Sequence, residues 1–282
     1  MKKIPALNSM PQRALSGAVY VGMVVFCLWF SEYSMISLFL FLLFLLHYEF
    51  NTLINRKKYK LPAIVTSVIS ISLLLATFIY EKTNGSTELF YIPLLLFVLL
   101  PLLYILIDKE HDLRTLGVFL LSVIYFAAPL SLAVLISFRH TEEPVVTTSY
   151  QAFPVLSLFV FLWVYDTFAY LAGTIFGKTP LIERISPKKT WEGVIGGVVM
   201  TLLLSLACSL IFNIFPISHA VAISLIVVIF GTLGDLFESW IKRSVAIKDF
   251  GNIMPGHGGA LDRLDSFLFS VPAMWVFYSL FG

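Results

Sequence analysis

The chain has 282 residues and a formal net charge of +2, with 59% hydrophobic and 13% charged residues. Soluble domains typically have about 45–50% apolar and about 25% charged residues, so this composition excludes an ordinary soluble protein. The mean hydropathy of +0.90 indicates a polytopic integral membrane protein. The small net charge gives no support for a nucleic-acid partner.

Runs of about 20 apolar residues, enough to cross a hydrocarbon core of ~30 Å, predict about nine transmembrane helices. Their approximate bounds are 14–31, 33–50, 61–80, 89–107, 115–138, 152–173, 192–214, 217–236 and 264–281. The sequence shows no internal repeat, soluble domain or low-complexity linker between them. We therefore expect an all-α fold in a single integral membrane domain, 1–282, with plainer helices over 1–140 and polar loops concentrated over 150–282.

The lysines and arginines predict the orientation of these helices. If the N-terminus is cytoplasmic, all of the 19 basic residues except Lys82 and Arg139 fall in cytoplasmic segments. This asymmetry follows the positive-inside rule. It places two polar loops of the second half, 174–191 and 237–263, on the cytoplasmic side. A basic N-terminus followed by an apolar run without a small-residue cleavage site fits a retained signal anchor in a bacterial inner membrane.

The sixth predicted helix contains Asp166 within an apolar run. An ionised carboxylate inside a membrane is costly and is tolerated where it faces a protein interior or a watery cavity, so Asp166 is a candidate site residue. The alternative is an aspartate that packs between helices and hydrogen-bonds to a neighbouring hydroxyl.

The next loop carries hydroxyl and basic side chains directly before a Gly-rich helix start: Ser186, Lys188, Lys189 and Thr190. Basic residues near the positive end of a helix favour binding of phosphate oxygens. The alternative is a basic patch that contacts anionic lipid head groups.

The eighth predicted helix ends with Asp235 and Glu238, followed by Ser239. A spacing of three residues puts the two carboxylates on one helix face. Carboxylates at a membrane boundary can bind a hard cation such as Mg²⁺, which prefers oxygen ligands. The alternative is a pair of polar residues that only ends an apolar helix at the interface.

Charged residues and glycines crowd the segment from 242 to 265. Its basic members can neutralise phosphate charge, and its aspartates can hold metal ions: Lys242, Arg243, Lys248, Arg263, Asp262 and Asp265. Gly258 and Gly259 follow His257 and indicate a backbone that something approaches closely, for which a ligand phosphate is the natural candidate. His257 by itself is as often a structural hydrogen-bonding residue as a catalyst.

The order of these residues resembles the motif of the phosphatidate cytidylyltransferase family, also called CDP-diacylglycerol synthases. The matching residues are Ser239-x-Ile241-Lys242-Arg243, then Lys248-Asp249-x-Gly251, then Pro255-x-His257-Gly258-Gly259-x-Leu261-Asp262-Arg263-x-Asp265. A match this long and ordered is highly specific. Asp166, the SPKKTWEG stretch and Gly234-Asp235 also resemble landmarks of that family, so the likeness covers about residues 160–282. In the first half, Glu49 is a candidate further landmark.

The resemblance implies that CTP and phosphatidate react to give CDP-diacylglycerol and pyrophosphate at a cytoplasmic boundary of the bilayer. It implies a Mg²⁺ site held by Asp235 and Asp262, with two ions of which the second is divalent or monovalent, such as K⁺. It also implies that Asp166 lines the same polar cavity. As our own hypotheses, we assign catalytic roles to Asp235, Asp262, Lys242, Arg243, Lys248, Arg263 and His257. We assign substrate binding to Asp166, Ser186, Lys188, Lys189, Thr190, Ser239, Asp249, Gly258, Gly259 and Asp265. The resemblance also implies a homodimer.

Two other classes of protein remain as alternatives. A transporter or channel would use Asp166 and Asp235 along an ion path, but it would favour broken helices and repeated halves, which the sequence does not show. A neighbouring lipid enzyme is the other alternative. The chain lacks the D-G-x-x-A-R pattern typical of CDP-alcohol phosphatidyltransferases, and a CTP-dependent polyprenol kinase would leave CDP instead of releasing pyrophosphate.

Overall fold

The structure, a computed structural model, describes residues 9–54, 60–83, 85–107, 113–141, 147–213, 215–247, 250–251 and 258–281. Helices dominate the described residues. Their bounds are α1 Ser9–Phe30, α2 Glu32–Ile54, α3 Lys60–Thr83, α4 Tyr91–Ile107, α5 Leu113–Ser122, α6 Ala128–Ile136, α7 Phe153–Phe176, α8 Trp191–Leu210, α9 Ile217–Ser244 and α10 Leu261–Phe281. A 3₁₀ turn, Thr87–Phe90, precedes α4, and a π-helical turn, Val123–Ala127, joins α5 to α6.

Each helix that the apolar runs predict has a helical counterpart in the same chain order, with α5, the π turn and α6 forming one of them. Within the described residues, eight helical stretches are long and apolar enough to cross a membrane, while the apolar part of α1, Leu15–Phe30, is shorter. The helical membrane fold is therefore confirmed. The number of crossings and the cytoplasmic N-terminus stay predictions.

Two helix bounds near the polar loops differ from those predicted. Helix α9 continues to Ser244 instead of ending near 236, and Ile241 is buried in this additional stretch. Helix α10 begins at Leu261 instead of 264. This places Asp262 in its first turn, where the helix dipole favours a negative charge.

Two short antiparallel hairpins interrupt the helical fold. Strands β1 (Phe138–Thr141) and β2 (Thr147–Tyr150) pair with each other. Strands β3 (Pro180–Ile182) and β4 (Ser186–Thr190) form the second hairpin, in which Pro180 faces Thr190. Lys188 and Lys189, two basic residues of the loop before α8, lie on β4 of this hairpin.

The chain divides into two compact units. The first consists of Met1–Ala152 and Lys248–Arg263, and the second of Phe153–Ile247 and Leu264–Gly282. The predicted single domain, 1–282, stays a prediction. The motif segment up to Arg263 groups with the first unit although it belongs to the second half of the chain.

Aromatic packing forms much of each core. In the first unit, Phe50 and Phe126 are fully buried and meet edge to face, with ring centroids 5.3 Å apart. In the second unit, Phe159 on α7 stacks on Phe267 on α10, with centroids 4.1 Å apart. Because lipid is as apolar as these rings, their close van der Waals packing, and not their removal from water, helps to hold the helices together within each unit.

Candidate active site

Three carboxylates converge in the second unit. Asp235 and Glu238 project from α9, and Asp265 projects from α10. One oxygen of each carboxylate lies within 4.8 Å of the others, and Glu238 and Asp265 are buried. We call these three residues the acidic cluster. Buried carboxylates that share a small volume repel one another unless a cation compensates them, so this arrangement favours cation binding.

Small residues on α9 allow the acidic cluster to form. A Cβ atom added to Gly234 would lie 2.5 Å from the carbonyl oxygen of Asp265 and 3.0 Å from Cα of Ser266. One turn earlier, the hydroxyl of Ser266 donates a hydrogen bond of 3.0 Å to the carbonyl oxygen of Gly231. Glycine at position 234 therefore lets the backbones of α9 and α10 approach closely, as small residues commonly do between membrane helices.

Two lysines neutralise part of this negative charge. Lys189 forms an ion pair with Asp235, and Lys242 lies 2.5 Å from Oε2 of Glu238 one turn along α9. The hydroxyl of Ser239 also donates to Oδ1 of Asp235 at 3.4 Å. The cluster thus combines acidic groups that could hold a metal ion with cations that could bind phosphate, a mixture that suits phosphoryl transfer.

The second hairpin positions Lys189, and the chain itself fixes that hairpin. The carboxylate of Glu192, in the first turn of α8, accepts hydrogen bonds from the backbone N–H groups of Lys178 and Thr179 at 3.1–3.2 Å. Thr190 caps α8 by accepting a hydrogen bond from the N–H of Gly193 at 3.2 Å. Lys188, next to Lys189 on β4, is exposed.

The glycines at the start of α8 pack against α7. A Cβ atom on Gly197 would lie 2.6 Å from the ring of Tyr165, and one on Gly193 would lie 2.7 Å from the carbonyl oxygen of Ala169. These glycines therefore serve close helix packing in this structure. The substrate-binding roles of Ser186, Lys188 and Thr190 remain predictions.

Asp166 lies on α7 and is exposed. The neighbouring Tyr165 is buried, and its hydroxyl lies 2.5 Å from that of Thr232 on α9. The substrate-binding role of Asp166 remains a prediction.

The other part of the motif is held in the first unit by two carboxylates. Glu49, 3% exposed on α2, accepts hydrogen bonds from the N–H groups of Ala260 at 3.0 Å and Leu261 at 3.1 Å. Oδ2 of Asp262 accepts hydrogen bonds from the N–H groups of Phe250 at 3.1 Å and Gly259 at 2.7 Å. Glu49 therefore binds backbone groups at the N-terminus of α10, while Asp262 links the residue Gly259 just before the helix to Phe250.

The motif glycines lie against these same carboxylates. A Cβ atom on Gly259 would lie 2.6 Å from Oε2 of Glu49, and one on Gly258 would lie 2.6 Å from Oδ2 of Asp262. Gly258 also has φ +87°, which L side chains rarely adopt. The close approach that the sequence indicated is thus made here by the chain's own carboxylates, and phosphate binding at these glycines stays a prediction.

The structure assigns the predicted site residues to the two units as follows. Asp166, Ser186, Lys188, Lys189, Thr190, Asp235, Ser239, Lys242, Arg243 and Asp265 lie in the second unit, and Gly258, Gly259, Asp262 and Arg263 lie in the first. Arg243 and Arg263 are exposed. Lys248, Asp249 and His257 lie outside the described residues.

The site residues assigned after the motif resemblance did not include Glu238 or Glu49, although the sequence indicated Glu238 as a cation ligand beside Asp235 and Glu49 as a candidate landmark. The sequence indicates Glu238 through its spacing of three residues from Asp235, because this spacing puts both side chains on one face of a helix. The sequence indicates Glu49 because it is a carboxylate near the end of an apolar helix. An ionisable residue is costly there unless another group pairs with it.

Comparison with known proteins identifies the family. Residues 11–281 match the sequence model of the Cytidylyltransferase family. The phosphatidate cytidylyltransferase of Thermotoga maritima is 30% identical over 284 aligned residues, which cover 97% of this chain and 98% of that protein.

Two further relatives match over a shorter stretch. The phosphatidate cytidylyltransferase of Bacillus subtilis is 45% identical over 124 residues, or 44% of this chain and 46% of that protein. The protein of the same name from Staphylococcus aureus strain COL is 47% identical over 122 residues, or 43% of this chain and 46% of that protein. These matches confirm the resemblance that the motif indicated. Because the family model covers nearly the whole sequence, the chain belongs to the cytidylyltransferase family.

Proposed function

We propose that this protein transfers the cytidylyl group of CTP to phosphatidate, giving CDP-diacylglycerol and pyrophosphate in phospholipid synthesis. The observation that carries the proposal is the acidic cluster with its paired lysines, Lys189 and Lys242. Membership of the cytidylyltransferase family and the names of the relatives support the same reaction.

The chemistry suits this set of side chains. A phosphate oxygen of phosphatidate attacks the α-phosphorus of CTP, and the bond from that phosphorus to the bridging oxygen of the β-phosphate breaks. The attacking oxygen is already anionic near neutral pH, so the reaction needs no nucleophilic side chain. It needs neutralisation of two polyanions and of the leaving pyrophosphate. Lys189 and Lys242 are placed to supply positive charge beside the acidic cluster.

The acidic cluster fits a hard divalent cation. We propose that Asp235, with Glu238 and Asp265, holds Mg²⁺, since three carboxylate oxygens within 4.8 Å of one another suit its preference for oxygen ligands. When bound, Mg²⁺ would neutralise charge on the triphosphate and on the leaving pyrophosphate. Asp262 remains the other proposed ligand in a two-ion site, whose second ion is divalent or monovalent, such as K⁺.

The remaining basic residues are proposed to bind phosphate groups. Arg243 and Arg263 are exposed, as is Lys188, so their charges are accessible to CTP or to a lipid head group. Lys248 and His257 keep their predicted catalytic roles, and Asp249 keeps its predicted role in substrate binding.

We also propose that the site faces the cytoplasm of a bacterial cell, where CTP is present. The protein is proposed to be a homodimer in the inner membrane.

The test is a product analysis on the purified protein in detergent with CTP, phosphatidate and Mg²⁺. The proposal predicts equimolar CDP-diacylglycerol and pyrophosphate, with at least about 100-fold slower turnover in Asp235→Asn and Asp265→Asn, as is typical when a group that stabilises transition-state charge is lost. Glu183→Gln, an exposed carboxylate in the turn of the second hairpin, is the matched control and should retain activity.

Other outcomes would contradict the proposal in different ways. CDP without pyrophosphate would indicate a kinase that uses CTP. Correct products with normal turnover in folded Asp235→Asn and Asp265→Asn would retain the reaction but reject the acidic cluster as its metal site.

A further inference from the structure

Glu49 makes an unusual connection inside the first unit. It lies on α2, yet each of its carboxylate oxygens accepts a backbone hydrogen bond from the start of α10: Oε1 from Ala260 and Oε2 from Leu261. The donors follow Glu49 by 211 and 212 positions. A helix leaves its first N–H groups without partners in the helix, and a carboxylate is the most favourable acceptor at that positive end.

The motif backbone is shaped around this carboxylate. A Cβ atom on Gly259 would lie 2.6 and 2.7 Å from its two oxygens, and a Cβ atom on Gly251 would also overlap Glu49. Any larger residue at either glycine must therefore displace Glu49 or the backbone. The neighbouring residue of α2 adds a second attachment, because Phe50 stacks on the buried Phe250 with centroids 6.1 Å apart.

The segment that Glu49 holds is the one that orients Asp262. Gly259 donates its N–H to Oδ2 of Asp262 at 2.7 Å, and Phe250 donates at 3.1 Å. Gly259, Ala260 and Leu261 are consecutive, so a shift of the backbone that Glu49 binds would move a hydrogen-bond donor of Asp262. Glu49 is thus connected to a motif aspartate through one short stretch of backbone.

We propose that Glu49 is a positioning residue for cytidylyl transfer: its carboxylate fixes the backbone of residues 259–261 and thereby orients the carboxylate of Asp262. The inference rests on the proposed function for its kinetic consequence. Its structural part, the fixing of the backbone, is independent of the reaction.

Glu49→Gln is the decisive variant, since it keeps the size of the side chain but presents an amide N–H₂ group to a backbone donor. We expect kcat to fall at least about tenfold with less than about a threefold change in KM for phosphatidate, because the variant misorients a group without removing a substrate contact. Amide hydrogen exchange at Ala260 and Leu261, measured by mass spectrometry in metal-free protein, should become faster.

Glu32→Gln is the matched control. It lies on the same helix and its carboxylate pairs with Lys82, so its loss should leave kcat and the exchange at residues 260–261 unchanged. A double-mutant cycle adds a test of contact. Gly259→Ala should lower kcat in the wild-type background but cause little further loss in the Glu49→Ala background, where the carboxylate that it would meet is gone.

The two proposals fail in different ways. A wild-type protein that forms no CDP-diacylglycerol would reject the proposed function, while the exchange measurement would still decide whether Glu49 fixes the backbone. Wild-type kcat in Glu49→Gln together with a lower melting temperature would assign Glu49 a structural role only and overturn the inference. Unchanged exchange at Ala260 and Leu261 would overturn it as well.

Discussion

The ammonium group of Lys189 on β4 forms an ion pair with the carboxylate of Asp235 on α9, and both side chains remain partly exposed, at 28% and 31%. The sequence places one of these residues in a basic loop and the other at the end of an apolar helix. Their pairing brings a cation that we propose binds phosphate into direct contact with a carboxylate that we propose binds Mg²⁺. It also leaves both groups accessible to a ligand.

Lys189→Ala should weaken the use of CTP. A hydrogen bond to a charged group is worth about 1.5–3 kcal/mol, so kcat/KM for CTP is expected to fall by about 10- to 100-fold. Steady-state kinetics at saturating phosphatidate measures this. The control is Lys178→Ala, an exposed lysine just before the same hairpin, which should stay within about threefold of wild type. Equal losses in both variants would point to a general effect of loop charge.

Glu238→Gln should raise the Mg²⁺ concentration that gives half-maximal activity. Its carboxylate is buried within the acidic cluster, and loss of a group that supports a metal site typically lowers affinity by about 10- to 100-fold. Activity measured across a Mg²⁺ titration, after removal of metal with EDTA, gives the value. Glu183→Gln should titrate like the wild-type protein. An unchanged midpoint in Glu238→Gln would exclude Glu238 from the metal site.

Gly197→Ala should destabilise the second unit. The added Cβ would lie 2.6 Å from the ring of Tyr165, and overpacking of this kind costs about 1–3 kcal/mol. Gly22→Ala is the control, because no atom lies within 4 Å of the added Cβ on α1 and alanine favours a helix over glycine by up to about 1 kcal/mol. Thermal unfolding in detergent should give a lower midpoint for Gly197→Ala alone. A wild-type midpoint in that variant would argue against close packing of α7 and α8.

Cysteine labelling should reveal the orientation in the membrane. In a background with Cys27→Ser and Cys208→Ser, a membrane-impermeant maleimide added to intact cells should label Glu88→Cys and leave Glu183→Cys unlabelled. Both parent residues are exposed, so access to the side chain does not favour either position. Labelling of both should follow when the membrane is permeabilised. Labelling of Glu183→Cys alone in intact cells would reverse the predicted topology.

Several features were determined by the sequence alone. Runs of apolar residues predicted the helices because a chain in lipid must satisfy its backbone hydrogen bonds internally, which makes helix the favoured state. The ordered motif from Ser239 to Asp265 identified the family, since its charged residues and glycines stand at fixed spacings. The spacing of Asp235 and Glu238 also predicted a shared helix face, and both carboxylates belong to the acidic cluster.

Only the tertiary structure decided which of these groups meet. Asp265 joins Asp235 and Glu238 because Gly234 lets α10 approach α9, and Glu49 meets Ala260 and Leu261 across 211 and 212 positions of chain. Helical periodicity specifies the face on which a side chain lies, but it does not specify the neighbouring helix that covers this face. That choice depends on the fit of small and large residues along helices distant in sequence, which local spacing does not encode.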